Sequence, residues 1–331
     1  MQLKSVSLAL AAAALLAVGC GGGEKAGDAP LKVGYVVNYM SHEWYQNICR
    51  AAEVRATELG VDLLIADANL DVAAQISKAE NFMAQQVDVL VLTPVDAKAL
   101  GPIVSQAKAA GIRVITESNP VPGSDTYVGI DNRASGYKAG QWFAAHAAET
   151  GMNARILIIG LPNFDDCRQR VDGFKAALEE AGLADAVVQE VDGQGLKEKA
   201  FKVAQDALTA NPDINVIYGI NDDSTTGGMA AYKAAGLDES ALTAIGFGLE
   251  GIVGQSALLG GTPYKSALAM FPDFVGASLV DAAVALEKGE KLPPHYETPT
   301  IMLTPTNFST YYEKRGEAYA MKFDAIRKLM R

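Results

Sequence analysis

Apolar and polar residues follow a repeating order from residue 31 onward: a short apolar run, a turn, and then a helical stretch. The stretches at 72–86 and 96–110 carry apolar residues at three- and four-residue spacing, which predicts amphipathic helices. The apolar runs predict strands in two groups, at 32–37, 62–66, 89–92, 113–116 and 127–130, and at 155–159, 187–191, 216–218, 242–246 and 265–269. Strands that alternate with helices predict an α/β fold of parallel sheets, each covered by helices on both faces.

The two groups of predicted strands also resemble each other in sequence. The segment DVLVLTP at 88–94 leads through a helical pattern to KAAG at 108–111, and NVIYGIN at 215–221 leads in the same way to KAAG at 233–236. A further apolar strand follows each glycine. This duplication predicts two similar α/β lobes. Because ligands of open parallel sheets bind beyond the carboxyl ends of the strands, two facing lobes predict a binding cleft at those ends.

The first twenty residues have the pattern of an export signal. A single charged residue, Lys4, precedes an apolar run at 6–18, which is shorter than the ~20 residues of a membrane-spanning helix. The small residues before Cys20 resemble a lipoprotein signal, in which the cysteine is lipidated and becomes the first mature residue. We therefore predict a lipoprotein signal peptide over 1–19, lipid attachment at Cys20 and a flexible tether over 20–30. The alternative is an ordinary signal peptide with an unmodified cysteine.

Composition and charge exclude several classes of function. The chain has 331 residues, of which 49% are hydrophobic, 39 are acidic and 28 are basic, so its net charge is −11. A nucleic-acid partner needs a concentrated basic face, which this chain lacks. The sequence contains no P-loop lysine, no G-x-S-x-G turn and no G-x-G-x-x-G after the first strand. Since His42, His146 and His295 are widely spaced, we predict no enzyme activity, no cofactor and no metal site.

Several motifs occur in the order found in sugar-type periplasmic binding proteins. They are KVGYVVN at 32–38 with Trp44-Tyr45, Asp131-Asn132, RQRVDGF at 168–174, GINDD at 219–223 and Gly246-Phe247. From about residue 31 to residue 305 the chain resembles the ribose/galactose group of solute receptors for ABC importers. That resemblance implies the type I periplasmic binding protein fold, in which two Rossmann-like parallel-sheet lobes are joined by three crossover strands and close on the ligand.

The resemblance also implies where the chain passes between the lobes. Crossovers are expected near 131, 269–270 and 298–300. The N-terminal lobe then comprises 31–131 plus 271–298, and the C-terminal lobe comprises 132–270 plus 299–331. The pattern at 307–331 predicts that the second lobe ends in a helical tail.

The first lobe offers polar and aromatic candidates for ligand binding. Asn38 ends the first predicted strand, and Glu117 and Asn119 end the fourth, so all three are expected at the cleft. Trp44 and Tyr45 begin the next helix, where the resemblance places aromatics that stack on the apolar C–H face of a sugar. The alternatives are that one of these two adjacent rings packs in the core and that the asparagines bond their own turns.

The second lobe supplies the remaining candidates. Arg168 occupies the position of the family's ligand-binding arginine, whose forked donors suit hydroxyl or carboxylate groups. Its alternative is a solvated helix-start arginine paired with Asp165 or Asp166. Asn221 matches the family's ligand amide, and Met270 lies at the second crossover. Weaker candidates on loops at the same side are Gln194, His42 and Glu250.

The chain departs from the ribose-binding members at three cleft positions. It has Ser118-Asn119 in place of an Asp-Arg pair, Gly248 in place of an aspartate, and Met270 in place of a glutamine, with Phe271 following. Ionic partners for sugar hydroxyls are lost, and the cleft floor is expected to gain a thioether and a ring. Both changes favour a ligand that is less polar than ribose.

The predicted function is that of an exported, lipid-anchored receptor in the periplasm or at the outer face of the cell membrane. It is expected to be a monomer that binds a sugar or sugar-like molecule and delivers it to an ABC permease. Two alternatives stay open: a sensory receptor that presents its closed form to a membrane kinase or chemoreceptor, and a receptor for an apolar or lipid-like ligand. A repressor of the lactose-repressor type shares these lobes but needs a DNA-binding headpiece, where this chain has an export signal.

Overall fold

The computed structural model describes residues 30–316 and 318–330. The predicted signal peptide, Cys20 and all but the last residue of the predicted tether lie outside this part of the chain. Strands are numbered β1 to β14 and helices α1 to α11 in chain order. No helix in the described part has both the length and the apolar composition needed to cross a membrane.

The first sheet has six strands, all parallel, in the order β11-β5-β4-β3-β1-β2. Its strands are β1 (Lys32–Val37), β2 (Asp62–Asp67), β3 (Val89–Leu92), β4 (Arg113–Glu117), β5 (Thr126–Gly129) and β11 (His295–Glu297). Strands β1 and β3 are almost wholly apolar because helices cover both faces of the sheet. Those helices are α1 (Glu43–Leu59), α2 (Val72–Ala84), α3 (Gly101–Ala109) and α9 (Pro272–Glu287).

The second sheet also has six strands, in the order β12-β10-β9-β8-β6-β7. They are β6 (Ile156–Gly160), β7 (Val187–Asp192), β8 (Val216–Gly219), β9 (Thr243–Gly248), β10 (Tyr264–Ala269) and β12 (Ile301–Leu303), of which only β12 runs antiparallel to its neighbour. The helices are α4 (Asn132–Thr150), α5 (Asp165–Glu180), α6 (Lys197–Ala210), α7 (Asp222–Ala234) and α8 (Ile252–Leu259). The first five strands of each sheet are arranged identically, in agreement with the sequence duplication.

The chain passes from one sheet to the other three times. It leaves the first sheet between β5 and α4, returns between β10 and α9, and crosses again between β11 and β12. Helix α9 follows a strand of the second sheet but packs against α1, so the first lobe is built from two separate parts of the sequence. The predicted α/β fold with two parallel-sheet lobes and three crossovers is thus confirmed.

Helices α4 and α5 pack so closely that glycine is required on both. A Cβ atom on Gly136 of α4 would lie 2.0 Å from the carbonyl oxygen of Arg170, and one on Gly173 of α5 would lie 2.0 Å from that of Arg133. These distances leave no room for any side chain, because each contact is with backbone rather than with a movable group. The glycine pair therefore fixes the position of α5, which carries the cavity-lining residues Asp166, Cys167 and Arg170.

The predicted helical tail is wrong. After the single turn α10 (Phe308–Tyr311), the chain forms an antiparallel hairpin of β13 (Tyr312–Arg315) and β14 (Ala318–Met321), and it ends in the short helix α11 (Phe323–Arg327). Gly316 adopts a left-handed φ of 67°, which ends β13. The ring of the buried Tyr312 stacks on Phe308 at 4.6 Å, so aromatic packing on the second lobe overrides the helical pattern.

Helix α3 begins later than predicted. Asp96 does not start the helix but accepts hydrogen bonds from the backbone amides of Lys98 and Ala99, which forms a turn. The helix begins at Gly101, and Pro102 occupies its first turn, where a missing amide hydrogen costs nothing.

We expect Gly173→Ala to lower the free energy of unfolding by about 1–3 kcal/mol, because the added methyl group forces α4 and α5 apart. Gly101→Ala is the matched control. A Cβ atom there meets nothing within 4 Å, so this variant should be neutral or slightly more stable. Urea unfolding of both variants measures the difference. Equal stability of the two variants would contradict the close helix packing.

Candidate ligand-binding site

A cavity of about 290 Å³ lies between the carboxyl ends of the two sheets. Loops from both lobes line it, as expected for open parallel sheets. The first lobe contributes the loops after β1, β2 and β4, and the second contributes those after β6, β7, β8, β9 and β10. Residues of both lobes line the cavity, among them Asn38, His42, Trp44, Tyr45, Leu70, Glu117, Asp166, Arg170, Asn221 and Glu250.

Trp44 and Tyr45 form an aromatic wall on the first lobe, and both rings line the cavity. Helix α1 begins here because Nδ1 of His42 accepts a hydrogen bond from the backbone amide of Trp44. The hydroxyl of Tyr45 accepts a 3.0 Å hydrogen bond from Nδ2 of Asn38. His42 thus lines the cavity as a helix cap, and Asn38 lines it as the partner of an aromatic hydroxyl.

Glu117 lies at the end of β4 and is buried in the floor of the cavity. Its carboxylate accepts a 2.7 Å hydrogen bond from the hydroxyl of Thr93 and a 2.8 Å bond from the hydroxyl of Ser118. The hydroxyl of Tyr35 lies 2.8 Å from that of Thr93, which extends the network into the core. Burial raises the pKa of Glu117 to about 7, even though both hydrogen bonds favour the charged form.

Asn119 does not line the cavity. Its backbone amide donates to the carbonyl oxygen of Glu117 in a tight turn that follows Ser118, whose φ is 58°. The bond involves the backbone of Asn119 and not its side chain, so the expected place of Asn119 at the cleft is wrong and the alternative of a side-chain bond to its own turn stays a prediction.

Arg170, and not Arg168, is the arginine of the cavity. The guanidinium of Arg168 is half exposed, donates to the carbonyl oxygen of Pro162 and pairs with Asp165. Arg168 is thus a solvated arginine at the start of a helix, paired with Asp165, and its expected role in ligand binding is wrong. Arg170 is buried. It donates to Oδ1 of Asn132 at 2.9 Å and to the carbonyl oxygen of Ile220 at 3.0 Å.

The phase of helix α5 could have identified the correct arginine. Residues two positions apart on a helix lie on nearly opposite faces, so only one of the two arginines can point inward. The buried face of α5 contains Cys167, Val171 and Phe174, and Arg170 lies on that face. The position of the family motif predicts Arg168, whereas the buried apolar face of α5 indicates Arg170.

Asn221 and Met270 both line the cavity, but they do so differently. Asn221 caps helix α7: its Oδ1 accepts from the amide of Ser224, and its Nδ2 donates to the carbonyl oxygen of Gly195. Met270 presents an apolar side chain at the second crossover. The expected place of Phe271 on the cavity floor is wrong. Its ring is buried in the second lobe, where its centroid lies 5.8 Å from that of Tyr312.

Three hydrogen-bond acceptors of the cavity wall are buried without a partner among the described residues. They are Oδ1 of Asn38, Oδ1 of Asp166 and Oε2 of Glu250, and both lobes contribute. Burial raises the pKa of Glu250 above its ordinary value, with the neighbouring Asp222 as a further cause. A buried acceptor without a donor costs about 1–3 kcal/mol. The residues that carry these atoms also line the cavity, so both lobes contribute polar residues to its wall.

The two lobes touch beside the cavity. Nδ2 of Asn47 on α1 donates to the carbonyl oxygen of Glu250 at 2.7 Å. A Cβ atom on Gly251 would lie 2.0 Å from the carboxylate of Glu43, so the loop after β9 lies directly on the start of α1. Gln194, the remaining weaker candidate, lines the cavity from the loop after β7.

We expect Glu117→Gln to change how stability depends on pH. A carboxyl with a pKa of about 7 in the folded protein, against an ordinary value of 4.5, binds a proton in the folded state where the unfolded chain has released it. Stability therefore falls as the pH rises from 4.5 to 7, by on the order of 3 kcal/mol in total. Glutamine cannot ionise, so the variant should gain stability relative to the unmodified protein over this window.

Urea unfolding of both proteins at about pH 5 and about pH 7.5 measures this change. The pKa of Asp222 is also raised to about 7, but that group is present in both proteins and cancels in the difference. A difference in stability that stays constant with pH would show that Glu117 does not titrate in this range.

Comparison with known proteins assigns the family. A family model described as "Periplasmic binding protein domain" matches residues 33–291. The ribose import binding protein of Escherichia coli K12 is 26% identical over 267 residues, which are 80% of this chain and 87% of that protein. An ABC transporter solute binding protein from Mycobacterium smegmatis, solved with bound glycerol, is 28% identical with a TM-score of 0.76 and covers 87% of this chain and 98% of its own.

A structure of the Caulobacter myo-inositol binding protein, bound to myo-inositol, is 25% identical with a TM-score of 0.72 and covers 86% of this chain and 97% of its own. These relatives are binding proteins and not enzymes. The chain belongs to the periplasmic binding protein family and has the fold of its type I, sugar-binding members.

Proposed function

We propose that this chain is an exported solute receptor that holds a small polyhydroxylated molecule between its two lobes and delivers it to an ABC importer. The observation that carries the proposal is the cavity between the two lobes, whose wall combines polar side chains from both lobes with the rings of Trp44 and Tyr45. The polar residues are Asn38, Asp166, Arg170 and Glu250, and hydroxyl groups of a sugar or polyol hydrogen-bond with side chains of these types. A ligand held in this way contacts both lobes at once, so it favours the closed arrangement of the lobes.

The size and walls of the cavity support a small sugar-like ligand. Its volume of about 290 Å³ is at the lower end of the ~300–1,000 Å³ usual for small-molecule sites. A long lipid chain does not fit such a volume. The rings of Trp44 and Tyr45 offer apolar faces for the C–H face of a sugar ring, and Arg170 offers charged donors. The named relatives that bind ribose and myo-inositol have the same fold.

A thermal-unfolding screen against ribose, xylose, galactose, myo-inositol and glycerol tests the proposal. A ligand that binds only the folded state stabilises it by about 2.7 kcal/mol at one hundred times its dissociation constant. The bound ligand should also change the fluorescence of Trp44. The second tryptophan, Trp142, lies outside the cavity and stacks on His146, so Trp142→Phe should keep the fluorescence change and Trp44→Phe should lose it.

The two arginines of α5 provide a matched pair of variants for the same screen. Arg170→Lys keeps the charge but loses the forked donors, so we expect ligand affinity to fall at least tenfold, since a charged hydrogen bond contributes ~1.5–3 kcal/mol. Arg168→Lys should leave affinity unchanged, because that side chain faces solvent. Absence of any stabilising ligand, or equal effects of the two variants, would overturn the proposed site.

We also propose that the receptor is held at the membrane by a lipid on Cys20. Of the three cysteines, Cys49 and Cys167 are buried free thiols within the lobes. Cys20 follows the apolar run of the predicted signal peptide and precedes three glycines, a context that suits processing and a flexible attachment. A lipid at this position would keep the cleft close to a membrane-embedded permease.

Cell fractionation after growth with labelled palmitate tests the lipid anchor. We expect the unmodified protein to carry label and to sediment with membranes, and Cys20→Ala to lose both properties. Cys49→Ala is the control and should behave like the unmodified protein, because that thiol is buried. An unlabelled protein that is released in soluble form would favour the ordinary signal peptide.

A further inference from the structure

We propose that the natural ligand carries an apolar group, which lies at the mouth of the cavity against Leu70, Phe164 and Leu196. The ligand is then a glycoside or polyol ether with an alkyl or aryl substituent rather than a free sugar. This inference rests on the proposed function and names the ligand class more narrowly. We call these three residues the apolar mouth.

The apolar mouth belongs to the cavity and yet faces solvent. Leu70, Phe164 and Leu196 all line the cavity, but they are 46%, 41% and 49% exposed, whereas Trp44 in the wall is 9% exposed. They come from three separate loops, after β2, β6 and β7, and from both lobes. Exposed large apolar side chains that gather around one opening indicate a surface that is covered when the site is filled.

Phe164 and Leu196 occupy positions where polar residues are favoured. Phe164 is the residue before α5, Leu196 is the residue before α6, and neither makes a side-chain capping bond. Serine, threonine, aspartate or asparagine at such a position stabilises a helix by about 1 kcal/mol. Helices α2 and α4 follow that rule with Asp71 and Asp131. The apolar residues before α3 and α9, Leu100 and Phe271, are fully buried, whereas Phe164 and Leu196 are exposed.

Leu70 has a backbone conformation that is unfavourable for leucine. Its φ of 59° lies in the left-handed region, where glycine or asparagine is favoured and a branched apolar side chain is strained. A leucine kept exposed in this conformation has no stabilising role in the empty protein. All three residues of the apolar mouth thus oppose local stability, which is expected where a side chain serves binding.

The cavity has polar residues in the less exposed part of its wall and apolar residues at its opening. Glu117 is buried in the wall, Asp166 and Glu250 are half-buried there, and the exposed apolar residues lie at the opening. A ligand that suits both regions has hydroxyl groups at one end and an apolar group at the other. Since the mouth residues line the same cavity as these polar residues, one molecule can contact both.

Calorimetric titration with glycosides of one sugar tests the inference. The probes are the free sugar that gives the largest thermal shift and its methyl, butyl and phenyl glycosides, or the glucose series if no free sugar binds. Affinity should rise with the apolar group, by about fourfold for each buried methylene. Leu196→Ser should reduce the gain in affinity for each methylene relative to the unmodified protein, because one of the three apolar contacts is lost.

Leu59→Ser is the matched control, because Leu59 is also exposed, at 41%, but does not line the cavity. It should bind every probe like the unmodified protein. If free sugars bind and the glycosides bind no more tightly, the inference is overturned and the proposed function stands; the apolar mouth then serves another occupant, such as a protein partner. If neither series binds, the proposed function fails as well.

Discussion

The buried charge of Arg170 is the constraint around which the second lobe and the cavity are arranged. A guanidinium removed from water needs acceptors for its donors and an opposite charge nearby, or the folded state is strongly destabilised. Asn132, at the start of α4, and Ile220, at the end of β8, supply the acceptors. The ring of Phe247 lies 4.5 Å from the guanidinium carbon, and Asp166 lies 3.6 Å from a terminal nitrogen.

This network connects the site to the path of the chain. Asn132 is the first residue of α4 and directly follows the first crossover, so one acceptor of Arg170 lies beside a connection between the lobes. The glycine pair of α4 and α5 holds the two helices at the separation that this hydrogen bond needs. The close packing of α4 and α5, the start of α4 and the buried charge of Arg170 therefore depend on one another. Asp166, which lies beside Arg170 on α5, also lines the cavity.

The fold was predictable from the sequence because its signals are local and repeated. Apolar runs separated by helical patterns identify every strand of both sheets up to β10, and the duplicated KAAG segments identify the two lobes. The tail was not predictable in this way. Its aromatic residues fit a helical pattern, but the contact of Tyr312 with Phe308 and the buried Phe271 decides its conformation. Arg170 required the phase of α5, which a motif matched by position does not provide.

Strain at the edge of the cleft explains why local patterns are least informative there. In the described part of the chain, seven non-glycine residues have a positive φ, and six of them lie within three residues after the end of a strand: Asn69, Leu70, Ser118, Gln194, Leu249 and Phe271. Each left-handed residue costs about 1–3 kcal/mol, a cost that persists only where surrounding structure holds it. The loops that carry these residues also line the cavity. In the proposed receptor, ligand contacts therefore act on backbone that is already held in unfavourable conformations, and we expect occupation of the cavity to stabilise both lobes together.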